Sequence, residues 1–252
     1  MNILEQRILS FLKDKHGKHF AGSLNYYFNL HFESLDLKDR SVLEIGAGSG
    51  YMSALCLARG ASRVVALDPE SAGSTKGINK QFVSMNESVG LGDGIKYLPI
   101  GLDEFISNRK EDAFDYILMC NVINHIDEDA VTRLHLPDAP QERNLYIRTF
   151  KKIHELLTKT GILLISDAGR TNLWHSLGLC FPTCRNINWN IHQNPAVWTN
   201  LLSEAGFSSP AVKWLALYSL RHLKFIVSHK WTAQCLNSYF LIRAEKRTGD
   251  TG

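Results

Sequence analysis

The sequence predicts a single α/β domain built on a doubly wound, mostly parallel β-sheet. Short apolar runs rich in Val, Ile and Leu alternate with longer segments of helical periodicity, which is the pattern of parallel strands joined by right-handed helical crossovers. A glycine-rich turn directly follows the first of these runs, at the kind of position where such sheets bind ligands. The chain has 252 residues, of which 44% are hydrophobic and 21% charged, so residues 1–252 are expected to form one globular domain.

Two helices are predicted before the sheet. Apolar residues recur at helical spacing between Met1 and Lys13, and a second helix is expected from Ala21 to Phe32. Residues 1–38 are therefore expected to form an N-terminal helical cap.

Seven strands are predicted in the sheet. Five of them are expected to alternate with helices and to run parallel: Ser41–Ile45, Val64–Leu67, Ile95–Ile100, Phe114–Met119 and Ile162–Ser166. Two more are expected to close the sheet as a pair: Val212–Tyr218 and Ser238–Ala244. The helices predicted between the strands are Tyr51–Arg59, Ile78–Val89, Asp103–Ser107, Asn144–Leu157 and a helix that begins at Asn194-Pro195, with Asn194 as N-cap, and ends at Gly206.

Two insertions interrupt this alternation, after the fifth and sixth strands. Residues 168–193 have weak periodicity, and long segments of this kind often carry substrate specificity. Three of their residues are candidates for substrate binding, with surface or packing roles as the alternative: His175, Trp189 and His192. Residues 220–231 are basic and apolar, which suits either a lid over an anionic substrate or a solvated face of an amphipathic helix.

Composition and charge restrict the class of function. The formal net charge is only +3 and no run of Lys and Arg exceeds two residues, so a nucleic-acid partner is not expected. No apolar stretch is long enough to span a membrane, and Met1–Phe20 lacks the apolar core and cleavage site of a signal peptide, which predicts a cytoplasmic protein with no membrane partner. The five cysteines are scattered, which predicts free thiols and no metal site.

The most informative segment runs from Val42 to Gly50 and reads Val-Leu-Glu-Ile-Gly-Ala-Gly-Ser-Gly. Glycines at a strand-to-helix turn let the backbone approach a ligand closely and leave helix N–H groups facing it. Asp68 ends the next predicted strand, where a carboxylate can accept hydrogen bonds from ribose hydroxyls. Together these features predict a ligand that contains adenosine. A dinucleotide fingerprint would need a small residue at the position of Tyr51, so NAD is disfavoured.

The pattern Glu44-x-Gly46-x-Gly48-x-Gly50 followed by Asp68 resembles the class I methyltransferases that use S-adenosylmethionine (SAM), over about His19 to Leu164. The resemblance implies a seven-stranded Rossmann-like sheet, SAM as the methyl donor and S-adenosylhomocysteine as the product. It also implies that the glycine turn packs against the methionine part of SAM, that Asp68 binds both ribose hydroxyls, and that Glu44 supports the turn and the ligand's amino group. The cofactor contacts expected on this basis are Glu44, Gly46, Ala47, Gly48, Gly50, Asp68, Pro69, Gly101, Leu102 and Asn121.

The same resemblance locates two later segments. Where the family usually has an Asp for the adenine amino group, this chain reads Gly101-Leu102-Asp103. Adenine recognition is therefore expected from the Leu102 backbone and apolar packing, or from a displaced carboxylate at Asp103. The segment 120–126 resembles the part of the family that lines the methyl-transfer cleft, which implies that Asn121 lies beside the methionine moiety and that His125 points toward the cleft.

His125 and Asp167 are the candidate catalytic residues. Ligands bind beyond the carboxyl ends of such strands, and a histidine there can act as general base for a hydroxyl acceptor near neutral pH. A brace for its own loop is the alternative role of His125. Asp167 follows the fifth predicted strand and is expected to bind the acceptor or steer His125, or else to cap a turn.

The sequence thus predicts an enzyme that transfers a methyl group from SAM to an oxygen or nitrogen of a small molecule, such as a glycan precursor or a secondary metabolite. Three alternatives stay open. A nucleic-acid methyltransferase is opposed by Asn121-Val-Ile-Asn, where an Asn-Pro-Pro-Tyr type of tetrapeptide would stand. A catalytically idle SAM-binding or nucleotide-binding scaffold is supported by the missing adenine carboxylate at Gly101. An NAD-dependent oxidoreductase is opposed by Tyr51.

Overall fold

The computed structural model describes residues 1–70, 77–108, 113–179, 187–223, 228–236 and 238–246, without the side chains of His175 and of residues 234–236. The chain divides into two compact units, residues 1–119 and residues 120–252.

The first unit contains parallel strands and the helices that connect them. Its elements in chain order are α1 (Ile3–His16), α2 (Lys18–His31), β1 (Ser41–Ile45), α3 (Tyr51–Ala58), β2 (Arg63–Leu67), α4 (Ile78–Val89), β3 (Ile95–Leu98), α5 (Leu102–Ser107) and β4 (Phe114–Cys120). The strands lie in the order β3-β2-β1-β4, and the register aligns Ile45, the last residue of β1, with Leu67 of β2 and Met119 of β4. The carboxyl ends of the strands therefore meet at one edge of the sheet, the edge where ligands bind in open α/β folds.

Helix α1 is attached to the C-terminal end of α3 by polar contacts. Asn2 caps α1 by accepting the N–H of Glu5 at 2.9 Å, and its amide donates to the carbonyl oxygen of Ala58. Glu5 is only 1% exposed and pairs with Arg59 at 2.6 Å. A carboxylate buried to this degree is tolerated only when it is paired, so the ion pair fixes where α1 packs.

The second unit contains the remaining strands and, within the described part of the chain, five α-helices and three 3₁₀ helices. Its elements in chain order are a 3₁₀ helix (Ile123–His125), α6 (Glu128–Val131), α7 (Pro140–Leu156), β5 (Leu157–Ala168), α8 (Leu173–Ser176), a 3₁₀ helix (Trp189–Ile191), α9 (Pro195–Glu204), β6 (Phe207–Trp214), a 3₁₀ helix (Tyr218–Leu223), α10 (Lys230–Leu236) and β7 (Tyr239–Lys246). Strand β7 pairs antiparallel with both β5 and β6. The full strand order is β3-β2-β1-β4-β5-β7-β6, which confirms the predicted seven-stranded α/β fold.

The bounds of several predicted elements are wrong. The sixth strand runs from Phe207 to Trp214 instead of Val212–Tyr218, because an edge strand with one neighbour leaves most of its residues unburied and so carries little apolar alternation. Helix α2 begins at Lys18, ahead of the predicted Ala21. Asn194 is the N-cap residue of α9, as predicted, but its side chain makes no capping hydrogen bond and instead accepts the N–H of Thr171 at 3.0 Å.

The two predicted insertions contain short helical segments. Residues 168–193 include α8 and the 3₁₀ helix Trp189–Ile191, and residues 220–231 overlap the 3₁₀ helix Tyr218–Leu223 and the start of α10. Residues 180–186 and 224–227 lie outside the described part of the chain. Among the helices that are described, none is both long and apolar enough to cross a bilayer. Within the same residues, no group of three or more His, Cys, Asp or Glu is arranged to hold a metal ion.

Candidate functional site

The glycine turn between β1 and α3 adopts backbone conformations that favour glycine. Gly46, Gly48 and Gly50 have φ values of 70°, 54° and 71°, in the left-handed region that costs other residues about 1 kcal/mol or more each. A Cβ added to Gly50 would lie 2.8 Å from the ring of Phe82, whereas a Cβ added to Gly48 would meet nothing within 4 Å. Gly50 is therefore needed for packing inside the protein, and Gly48 leaves the backbone uncovered on the side where a ligand can approach.

Asp68 lies directly against this turn. It follows β2, is 4% exposed, and accepts the N–H of Gly48 at 2.8 Å through Oδ2 and the N–H of Glu70 at 3.0 Å through Oδ1. Two backbone donors thus fix the orientation of the carboxylate at the edge of the sheet. The glycines and Asp68 were predicted to belong to one site, and the structure brings them together.

Tyr97 on β3 is a residue of this site that the sequence analysis missed. Its hydroxyl donates to the carbonyl oxygen of Gly48 at 2.8 Å, and its ring stacks on Phe82 with centroids 4.3 Å apart. Burial raises the pKa of the Tyr97 hydroxyl, with a further contribution from the negative charge of Asp68. The hydroxyl therefore stays protonated and acts as a permanent donor to the turn.

Glu44, on β1, is hydrogen-bonded to Ser53 on α3 and so links the two elements on either side of the turn. It is 2% exposed, and its Oε2 accepts from the N–H of Ser53 at 2.9 Å and from the Ser53 hydroxyl at 2.5 Å. Burial raises the pKa of Glu44 to about 7, the hydrogen bonds from Ser53 oppose that rise, and the charge of Asp68 adds to it. Two buried carboxylates beside an uncovered backbone segment suit a ligand that has both positive charge and hydroxyl groups.

Tyr51, the first residue of α3, contacts the N-terminal helices. Its hydroxyl lies 2.9 Å from Nε2 of His16, and the ring of Phe20 packs edge-on against it with centroids 6.1 Å apart. Burial lowers the pKa of His16, and neighbouring Lys15 contributes in the same direction. The bulk that Tyr51 brings to this position is thus used in packing against α1 and α2.

The other residues of this unit that were predicted to contact the cofactor are supported less directly by the structure. The N–H of Ala47 is used in a hydrogen bond to the carbonyl of Leu67 at 2.9 Å. Gly101 precedes α5 with extended backbone, and a Cβ there would meet nothing within 4 Å. Pro69 is exposed, Leu102 is half-buried and Asp103 is exposed. Their contacts with adenine stay a prediction.

The predicted residues of the second unit fall into two groups. Asn121 is exposed and has a φ of 54°. Its backbone N–H donates to the carbonyl oxygen of Ser166 at 2.8 Å. His125 is also exposed, and its Nδ1 lies 2.7 Å from Glu128. The side chain of His175 lies outside the described part of the chain.

Asp167, His192 and Trp189 form the other group and lie together. Asp167 is 1% exposed, Nδ1 of His192 lies 3.3 Å from its Oδ1, and the rings of Trp189 and His192 pack with centroids 5.5 Å apart. Asn124, which the sequence analysis did not single out, completes the cluster with its side-chain amide 2.9 Å from Nδ1 of His192. No local pattern marks Asn124, because its partner is 68 residues away in the sequence.

Comparisons with known proteins identify the class. The chain belongs to the methyltransferase domain family, which matches residues 19–227. The fold is that of an S-adenosylmethionine dependent methyltransferase from Mesorhizobium loti, with a TM-score of 0.57 and 14% identity, covering 88% of this chain and 96% of the other. The family match gives a methyltransferase domain, and the shared fold is that of proteins whose methyl donor is SAM. The uncovered Gly48 and the two buried carboxylates fit that ligand, which carries an ammonium, a sulfonium and ribose hydroxyls.

Two relatives by sequence carry the name tRNA U34 carboxymethyltransferase. The one from Alteromonas mediterranea is 29% identical over 174 residues, which is 69% of this chain and 46% of that protein. The one from Shewanella baltica strain OS155 is 35% identical over 89 residues, 35% of this chain and 24% of that protein. This chain therefore aligns with less than half the length of either relative.

Tyr97→Phe tests the hydrogen bond to the turn. We expect the free energy of unfolding to fall by about 1 kcal/mol, because the Gly48 carbonyl loses a donor while the ring keeps its stacking. We also expect SAM affinity to fall by about threefold, since the turn is held less firmly. Urea unfolding and titration calorimetry measure the two effects.

Tyr116→Phe is the matched control, because the Tyr116 hydroxyl donates to the carbonyl of Asp36 at 2.9 Å in the same unit. It should show a similar loss of stability with SAM affinity unchanged. Equal SAM affinities in the two variants would remove Tyr97 from the site.

Proposed function

We propose that this methyltransferase acts on an oxygen or nitrogen atom of a small molecule. The observation that carries the proposal is the carboxylate of Asp167, whose Oδ2 is buried and has no hydrogen-bond partner among the described residues. A buried carboxylate oxygen without a donor costs on the order of 1–3 kcal/mol or more, so a ligand that donates a hydrogen bond is expected to satisfy it. Hydroxyl and amino groups are such donors, and both are methyl acceptors.

On the donor side we propose that the turn and the two carboxylates hold SAM. Gly46, Gly48 and Gly50 give the ligand access to the backbone, Asp68 accepts the ribose hydroxyls, and Glu44 balances positive charge. Ala47, Pro69, Gly101, Leu102 and Asn121 complete the proposed contact set. When bound, SAM supplies a methyl group on a sulfonium, and the protein contributes mainly by alignment of the acceptor.

A small acceptor also agrees with the charge of the chain. There are 28 Lys and Arg against 25 Asp and Glu, which is far from the concentrated positive surface that phosphate backbones require. In the cluster, Asp167 and Asn124 are buried and the His192 side chain is only 14% exposed, which suits a ligand of few atoms.

A nucleic acid is the second candidate acceptor. The specific observation that favours it is the name of the two sequence relatives, tRNA U34 carboxymethyltransferase. Their alignments cover less than half of each relative, so the acceptor class of this chain needs its own test.

Transfer of tritiated methyl groups from labelled SAM separates the two candidates. The full chain is incubated with an ultrafiltered low-molecular-mass extract of the source organism and, separately, with its total tRNA. We expect label in the low-mass extract and none in tRNA above an Asp68→Ala control. Label confined to tRNA would overturn the proposal, and SAM binding without label in either sample would favour the idle scaffold.

A further inference from the structure

The polar cluster at the end of β5 contains a histidine held by a buried carboxylate. We infer that His192 is the general base that takes the proton from the methyl acceptor, and that Asp167 positions it. This inference rests on the proposed function and names the acceptor class more closely, as a hydroxyl group. It places the base at a different histidine from His125.

The neighbours of Nδ1 of His192 determine which ring nitrogen carries the proton. Nδ1 lies 3.3 Å from Oδ1 of Asp167 and 3.2 Å from the carbonyl oxygen of Ala168. Both of these oxygens can only accept, so Nδ1 carries the hydrogen. The amide nitrogen of Asn124 lies 2.9 Å from Nδ1, so a hydrogen on Nδ1 requires this amide to be turned until its oxygen faces the ring, an orientation that the hydrogen-bond network decides.

A hydrogen on Nδ1 leaves Nε2 of the neutral ring with a lone pair. Nε2 makes no hydrogen bond within the described part of the chain, and the His192 side chain is 14% exposed. It is therefore sheltered but still reachable, which is what a base toward a ligand requires.

Asp167 is held in place for this task. Its Oδ1 accepts the N–H of Ala168 at 2.7 Å as well as facing His192, and the residue is 1% exposed. A buried negative charge next to Nδ1 fixes the ring and its tautomer and stabilises the imidazolium that forms when Nε2 takes a proton. The unpartnered Oδ2 is the place for a hydrogen bond from the same acceptor molecule or from a second hydroxyl on it.

The proton balance assigns the acceptor to hydroxyl compounds. The acceptor's O–H bond breaks, its proton goes to Nε2 of His192, its oxygen lone pair forms the new O–CH₃ bond, and the electrons of the broken S–CH₃ bond remain on sulfur. A neutral amine has a free lone pair and attacks without prior loss of a proton, so a built-in base serves oxygen better than nitrogen.

His125 offers the same chemical pair in a setting that suits a base less well. Its Nδ1 lies 2.7 Å from Glu128, but the two side chains are 37% and 49% exposed. An ion pair in water holds a ring weakly. His125 is therefore the competing candidate against which His192 is compared.

The tautomer of His192 tests the inference without any acceptor. The full chain is labelled with ¹⁵N-histidine, and the His192 signals are assigned by their loss in His192→Gln. At neutral pH we expect hydrogen on Nδ1 and a bare Nε2. In Asp167→Asn the carbonyl of Ala168 still accepts from Nδ1, so we expect the hydrogen to stay on Nδ1 while the imidazolium loses its negatively charged neighbour. A wild-type ring with hydrogen on Nε2 would overturn the inference.

Methyl transfer tests the role directly, with whichever acceptor sample the wild-type chain labels. We expect His192→Gln to lower the transfer rate by about 100-fold or more, as general bases typically contribute 10²–10⁴, with SAM affinity unchanged. Asp167→Asn should lose a similar factor and keep the KM for SAM, and a loss in His125→Gln that exceeds the loss in His192→Gln would place the base at His125 instead. Added imidazole should restore part of the rate to His192→Gly.

These outcomes separate the inference from the function on which it rests. A His192→Gln enzyme that folds, binds SAM and transfers methyl groups at close to the wild-type rate would refute the role of His192. Label that appears only in tRNA would refute the small-molecule proposal. The transfer rates of the His192 and His125 variants would then be compared with tRNA as the acceptor, which still tests the role of His192.

Discussion

Asp68→Ala is expected to weaken SAM binding by about tenfold or more, which corresponds to at least about 1.4 kcal/mol. The change removes a charged acceptor from the ribose hydroxyls. It also leaves the N–H groups of Gly48 and Glu70, which donate to the carboxylate at 2.8 and 3.0 Å, without that partner. Titration calorimetry with SAM and a thermal melt of the free protein measure both consequences.

Two further variants show whether the loss of affinity comes from the charge of Asp68 or from a general effect on the fold. Asp68→Asn keeps one oxygen for the N–H of Gly48 and removes the charge, so it should fold like wild type and still bind SAM less tightly. Asp93→Ala removes an exposed carboxylate between α4 and β3 and should change neither measurement. Unchanged affinity in Asp68→Ala would show that SAM binds elsewhere.

Glu44→Gln is expected to stabilise the free protein at pH 8 and to weaken SAM binding. The folded-state pKa of Glu44 is raised from 4.5 to about 7, so the unfolded chain loses this proton at lower pH than the folded one. Stability therefore falls as pH rises from about 4.5 to 7, and above pH 7 the cost reaches about 3 kcal/mol. Gln never ionises, but it accepts the Ser53 hydrogen bonds more weakly, so we expect a net gain of about 1–3 kcal/mol at pH 8 that vanishes near pH 5.

The effect on binding has the opposite sign. SAM is a cation, so the ionised form of Glu44 favours it, and wild-type affinity should rise between pH 6 and pH 8. The Gln variant should lose that rise. Urea unfolding at the two ends of the pH range and calorimetry across pH 6–8 measure these effects, with Glu87→Gln, an exposed carboxylate on α4, as control. A variant that is less stable than wild type at pH 8 would contradict the burial argument.

The part of the site that local sequence encodes could be predicted. Gly46, Gly48 and Gly50 occupy positive φ, and Asp68 follows a strand end, so residue type and position along the chain were sufficient. Tyr97 depends on the register that sets it opposite Ala66 on β2, which no short pattern encodes.

The cluster of Asp167, His192 and Asn124 could not be predicted for the same reason, because its residues are far apart in the sequence. Asp167 and His192 were each singled out, yet the Asp167–His192 contact and the partner Asn124 depend on how the 168–193 segment folds back. His125 was identified by its place after the fourth strand, while its pairing with Glu128 is a contact over three residues that helix spacing could have predicted.

The first helices hold α3 at both of its ends. Asn2 and Glu5 contact Ala58 and Arg59 at its C-terminal end, whereas His16 contacts Tyr51 at its first residue. The segment before residue 19, where the family match begins, thus braces the very helix whose N–H groups follow the glycine turn. An expression fragment that begins at residue 19 would keep every strand but lose the contacts that hold that helix, and we expect its affinity for the methyl donor to fall first.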